Sequence, residues 1–177
     1  VLDNIGQYIR SDVVFNLNVI GQNLDLNTLA QTSTAAVKPA QSLNTIDTAF
    51  IAESAAKAEL NEASPDANLV INLSRLADMS FSGTPNTNKI DLTSVLTHEI
   101  LHGLAFAGTL TNPNTTLKSS FDQLVTIQNN LPYFTGSHAV QANGGNLVPL
   151  AAGSEGDGSA FYHVDVPNDL MSTSIKK

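Results

Sequence analysis

The chain of 177 residues contains no cysteine. That absence excludes disulfides, thiolate zinc ligands and a cysteine nucleophile, and it leaves the compartment open. Basic residues are scarce too: eight lysines and arginines face sixteen aspartates and glutamates, for a formal charge of −8. With so little positive charge to neutralise phosphates, nucleic acid and anionic membrane surfaces are poor partners. No apolar run is long enough to span a bilayer. No charged segment followed by an apolar one opens the chain, so any signal peptide is expected to have been removed or to lie upstream. The start at Val1-Leu2-Asp3 reads as that of a processed or excised domain.

Charged residues make up only 14% of the chain against 42% apolar. This balance is that of a globular protein with Asn, Thr and Ser on its surface, not of a disordered one. The length suits a single domain over 1–177, with an N-terminal half over 1–108 and a C-terminal subdomain over 109–177.

The most informative stretch is Leu96-Thr97-His98-Glu99-Ile100-Leu101-His102-Gly103-Leu104. A helix sets residues i and i+4 on one face, so His98 and His102 can point at one metal ion. Two imidazoles suit zinc, and Glu99 beside the first ligand is placed to act as general base on an activated water. Burying two histidines and a glutamate in an apolar segment is costly without partners, which favours a metal over a chance match.

Other elements follow from periodicity. Ile5, Tyr8 and Ile9 mark a short N-terminal helix. Val13, Phe15, Leu17 and Val19 alternate with more polar residues, as a half-buried strand does. A short strand is expected near Ala30–Ala36. The alanine-rich Thr48–Leu60 reads as a helix capped by Asp47. Leu69, Ile71 and Leu73 predict a strand over Asn68–Ser74, with 75–90 a loop. Asp91 or Thr93 caps the histidine helix, which is expected to run to about Gly108, packing through Leu96, Ile100, Gly103, Leu104 and Ala107. Gly103 weakens a helix interior, so a neighbouring strand or helix is expected against its backbone. A second helix is predicted near Ser119–Gln128. The turn-rich 129–160 holds strand candidates at Asn146–Leu150 and Ala139–Ala142.

Two histidines leave a catalytic zinc short of a protein ligand. The compact motif that places a glycine and then a third histidine at spacings of three fails here, because those positions hold Ala105 and Gly108. The third ligand must come from distant sequence, where His138 and His163 are the remaining histidines. The order His98-Glu99-x-x-His102-Gly103, a distant histidine and then Met171 resembles metzincin-type zinc peptidases with an insertion before the third ligand. Leishmanolysin and exported bacterial peptidases are the examples. The resemblance covers about residues 91–108 and 159–173. It implies that His163 is the third ligand and that Met171 lies in the turn beneath the metal. It departs from the pattern in having Thr173, not tyrosine, two residues after Met171, which leaves the oxyanion donor unassigned; Tyr133 and Tyr162 are candidates.

The expected fold is therefore α+β and zincin-like: a small twisted sheet on a long active-site helix, followed by a loop-rich C-terminal subdomain with a Met-turn. The expected function is zinc-dependent endopeptidase activity on a protein or peptide substrate, in a secreted or cell-surface protein of bacterial type. Calcium has a place among Glu155, Asp157 and their glycines. Two alternatives stand beside this reading. One is an H-E-x-x-H hydrolase with a carboxylate third ligand, Asp122 or Glu155. The other is a zinc-stabilised, non-catalytic binding or adhesion domain of a larger extracellular protein.

Overall fold

The computed structural model describes residues 1–38, 44–60, 64–81, 88–108, 117–152 and 161–173. The chain is a mixed α+β protein with small sheets and few helices. Its elements in order are α1 (Leu2–Gly6), β1 (Leu17–Gln22), β2 (Ala30–Thr34), β3 (Ala36–Val37), β4 (Asp47–Thr48), α2 (Ala49–Ala56), β5 (Ala67–Asn72), β6 (Met79–Ser80), β7 (Ile90–Asp91), α3 (Leu92–Leu104), β8 (Val125–Gln128), β9 (Leu131–Phe134), α4 (Ser137–Ala142) and β10 (Val148–Pro149). The described residues fall into two compact units. The first draws on Val1–Val37 and Thr48–Ala105, the second on Lys38–Asp47 and Phe106–Ser174. No helix among the described residues is long and apolar enough to cross a membrane.

The first unit is built on a three-stranded sheet. Strand β5 lies in the centre, with β1 parallel on one side and β2 antiparallel on the other. The strand expected from Val13 begins its pairing only at Leu17. Asn16 explains the delay: its N–H donates to the Asp66 carboxylate (2.7 Å) and its carbonyl accepts from Asp66 N–H (2.8 Å), which sets where the ladder starts. Val13 and Phe15 fill core instead, Phe15 meeting Phe50 edge-on at 5.6 Å. Helix α3 packs on β2 and β5, and Phe50, Leu69, Ile100 and Leu104 form the buried centre.

Helix α2 is shorter than its alanine-rich sequence predicts. Lys57 takes a left-handed conformation (φ 53°) and ends it at Ala56. Its cap is Thr48, whose Oγ1 accepts from Ile51 N–H. Asp47 accepts instead from the N–H and hydroxyl of Ser120, at 2.6 and 2.9 Å.

The second unit carries an antiparallel sheet in the order β10-β9-β8. The helix expected over Ser119–Gln128 is absent; one 3-10 turn at Asp122–Leu124 leads into β8. Phe121, Leu124 and Val125 have helical spacing, yet Val125-Thr126-Ile127 are β-branched, and Asn129 and Asn130 both take positive φ (51° and 63°). Two such residues make the tight turn that matches strand twist, so the hairpin wins. The segment 139–142, a strand candidate by sequence, belongs to helix α4. Phe121 stacks on Phe134 at 4.8 Å and also meets Phe106 at 4.8 Å.

One buried amide holds the end of β5. Asn72 has no exposed surface. Its Oδ1 accepts from Leu24 N–H (2.9 Å) and Ser74 N–H (3.0 Å), and its Nδ2 donates to the carbonyls of Asp25 (2.8 Å) and Thr28 (2.7 Å). All four hydrogen bonds an amide can make are formed. Asn72→Asp keeps the shape but loses both donors and sets a carboxylate against two carbonyl oxygens. It should cost about 2–4 kcal/mol, since each buried polar group left unpaired costs about 1–3 kcal/mol. A urea midpoint unchanged from wild type would show that the amide does not anchor this loop.

Candidate metal centre

Helix α3 starts where the sequence places it. Asp91 caps it, with Oδ2 accepting from both the N–H and the hydroxyl of Ser94 at 2.9 Å. It stops at Leu104, four residues short of the expected end. The Leu104 carbonyl accepts from the Thr48 hydroxyl at 3.0 Å, and Phe106 leaves for the aromatic cluster of the second unit. Val95, Ile100 and Leu104 are buried, while Ala107 lies beyond the helix.

His98 is buried and His102 half-buried. Their Nε2 atoms are 3.1 Å apart, and the rings stand nearly perpendicular, with centroids 4.7 Å apart. Two nitrogens each about 2.0–2.1 Å from a tetrahedral zinc lie about 3.3–3.4 Å from each other. The pair is within a few tenths of an ångström of that separation. Neutral imidazole nitrogens are also the donor type that zinc, copper, nickel and iron accept. The pair therefore fits a shared transition-metal ion.

Glu99 is buried beside them. Burial raises its pKa above the ordinary carboxyl value, while the Thr32 hydroxyl and then the charge of His98 pull it back. Thr32 Oγ1 is itself buried and makes no hydrogen bond of full geometry among the described residues. The hydroxyl is nonetheless close enough to Glu99 to favour its ionised form. Sequence reasoning misses Thr32, one of many hydroxyl residues in a Ser/Thr-rich stretch; only its position on β2, against α3, distinguishes it.

The other sequence candidates lie in the second unit. His163 is half-buried in a segment fixed by its backbone: its carbonyl accepts from Ala151 N–H at 2.8 Å. The chain then turns back, so that Val164 N–H donates to the carbonyl of buried Met171 at 2.7 Å. Asp169 shapes this turn by accepting from Met171 N–H at 2.8 Å. His138 is exposed in the first turn of α4. Asp122 is buried and exchanges hydrogen bonds with Ser119, its Oδ2 taking the Ser119 N–H (2.7 Å) and its own N–H reaching Ser119 Oγ (3.0 Å). This reciprocal pairing fixes the turn that leads into the 3-10 helix and uses one of the two carboxylate oxygens. Tyr162 packs edge-on to Phe121 at 6.0 Å, and Tyr133 sits in β9. Glu155 and Asp157 lie outside the described residues.

Comparison with protein-family models, with curated proteins and with solved structures gave no match to this chain.

Proposed function

We propose that the protein is a zinc-dependent endopeptidase of zincin-like type, with His98, His102 and His163 as metal ligands and Glu99 as general base. The observation that carries this reading is the α3 pair, two imidazole nitrogens 3.1 Å apart with a buried carboxyl on the adjoining residue. A structural site needs no such carboxyl, and burying one costs stability unless it has a task or a partner. Bound zinc supplies a Lewis acid that makes water acidic near neutral pH and polarises the scissile carbonyl.

The chain's own residues do the rest. The Glu99 carboxylate takes a proton from the attacking water and returns it to the leaving amine nitrogen. Its burial keeps the carboxyl more basic than an exposed one, which helps it hold the proton between these steps. The Thr32 hydroxyl steadies the carboxylate from the sheet side. His163 is the third ligand in this reading because its segment is anchored on both sides, whereas His138 is exposed. Met171, buried and joined to Val164, forms the turn next to that ligand. The substrate is a peptide or protein, and a secreted or cell-surface setting belongs to the same proposal.

Glu99→Gln should bind zinc as the wild type does and lose about 10²–10⁴-fold or more in peptide hydrolysis, the usual range for a missing general base. Wild-type cleavage rates in this variant would remove Glu99 from catalysis. Absence of turnover by the wild-type, zinc-loaded protein across a broad peptide library would favour a structural zinc domain.

His163→Ala should weaken zinc binding by at least about tenfold to a hundredfold, as the loss of one of three protein ligands implies. His138→Ala should leave it within error, both variants being measured by competition with a chromogenic chelator. The opposite order of effects would transfer the third ligand to His138. Equal, small effects would point to a carboxylate.

A further inference from the structure

We propose that Glu53, Glu59 and Asp66 form a second cation site, of hard oxygen type and suited to calcium, entirely within the first unit. It is independent of the reading of α3 as a catalytic helix. Each residue offers one carboxylate oxygen, and the three oxygens lie within 4.8 Å of one another. Calcium takes oxygen ligands at about 2.3–2.6 Å, so ligands on opposite sides of one ion are about 4.6–5.2 Å apart. All three oxygens can therefore sit on a single coordination sphere.

An acidic cluster alone would not justify a site, since exposed carboxylates gather for many reasons. Here two of the three members have no exposed surface, Glu53 and Asp66. Asp66 is held by Asn16 N–H. Glu53 Oε1 accepts from Leu60 N–H at 3.2 Å, but Glu53 Oε2 is buried and meets no hydrogen-bond partner among the described residues. A buried carboxylate oxygen without a partner costs more than almost any other polar group. Burial raises the Glu53 pKa; the adjoining Glu59 carboxyl adds to the rise, the Leu60 amide opposes it, and the charge of Asp66 raises it further. The Glu53–Glu59 contact is a hydrogen bond only while one of the two holds a proton; with both ionised it is repulsive. A proton relieves that one contact alone. A divalent cation satisfies all three at once.

The site's position gives it a mechanical role. Glu53 lies in the last turns of α2, Glu59 follows the left-handed Lys57, and Asp66 adjoins the first residue of β5. A cation there would tie the end of α2 to the start of the central strand. Exposed Glu59 provides the route of entry.

Equilibrium dialysis of the purified protein against radioactive calcium tests this. The wild type should bind one ion per chain with a dissociation constant of about 10⁻⁴–10⁻³ M, the range of extracellular modules. Glu59→Gln, at an exposed position that does not disturb the core, should weaken binding at least tenfold and abolish the rise in melting temperature that calcium gives the wild type. His98→Ala should leave calcium binding unchanged. Absence of saturable binding at millimolar calcium would overturn the proposal, leaving a proton shared between Glu53 and Glu59. Wild-type affinity in Glu59→Gln, or loss of calcium in His98→Ala, would overturn it equally.

Discussion

Where α3 crosses the sheet, a methyl group on residue 103 would meet the Phe15 ring at 3.0 Å and the Ala67 side chain at 3.1 Å, with Thr32 Cγ2 at 3.6 Å. The helix therefore lies on the strands with almost no spacer, and any side chain at 103 would force Phe15 or Ala67 to give by a few tenths of an ångström. Residues 99 and 103 are one turn apart on the same face. The closeness at Gly103 is what buries Glu99 and brings Thr32 onto it. His98 and His102 are displaced around the helix by one residue, about 100° by helix geometry, off the face that Gly103 presses on the strands. A larger residue at 103 would press on Phe15 and Ala67 and loosen the packing around Glu99.

A second constraint runs through the first unit: its sheet is small and its loops are tied by polar groups more than by apolar ones. Asn72 closes the loop before β2 onto the end of β5, and Asp66 fixes the start of β1 through Asn16. Both side chains are buried. Such groups contribute little net energy, but breaking one leaves several partners unpaired, so they specify the register of the sheet more than they stabilise it. With one residue in register changing the face of every side chain, that specification matters in a three-stranded sheet.

These dependencies explain what is legible in the sequence and what is not. The histidine helix is legible because spacing, cap and apolar face are all local, and Asp91 caps it as expected. The glycine at 103 is legible as a demand for a close neighbour, although only the fold names Phe15 and Ala67. Periodicity overestimates the length of both α2 and α3 for one reason: the stop comes from outside the apolar pattern, in the left-handed Lys57 and in the Thr48 hydroxyl bound to Leu104. In the second unit, helical spacing at Phe121, Leu124 and Val125 masks the β-branched run and the paired asparagines that fix the hairpin. Asn72, Thr32 and the carboxylates at 53, 59 and 66 are invisible for a different reason. Each gains its meaning from a partner or a burial that no local pattern encodes.

The two proposed metal sites differ in the chemistry of their donors, and that difference is enough to keep them apart. Imidazole nitrogens select borderline transition metals, and a carboxylate cluster selects hard cations. A chain without cysteine has no thiolate to add, so nitrogen against oxygen is the main distinction available to it. The placement follows the same logic. In the proposed zinc site a single carboxylate, Glu99, stands beside the histidines as the base; burial opposes its charge and Thr32 favours it. Three carboxylates together have no such use and, with Glu53 Oε2 lacking a donor among the described residues, are eased when a proton or a cation offsets their charge. Calcium at millimolar levels is the cation that an extracellular setting would supply. It would settle where buried carboxylates carry more negative charge than the residues around them balance, and leave the imidazole pair to zinc.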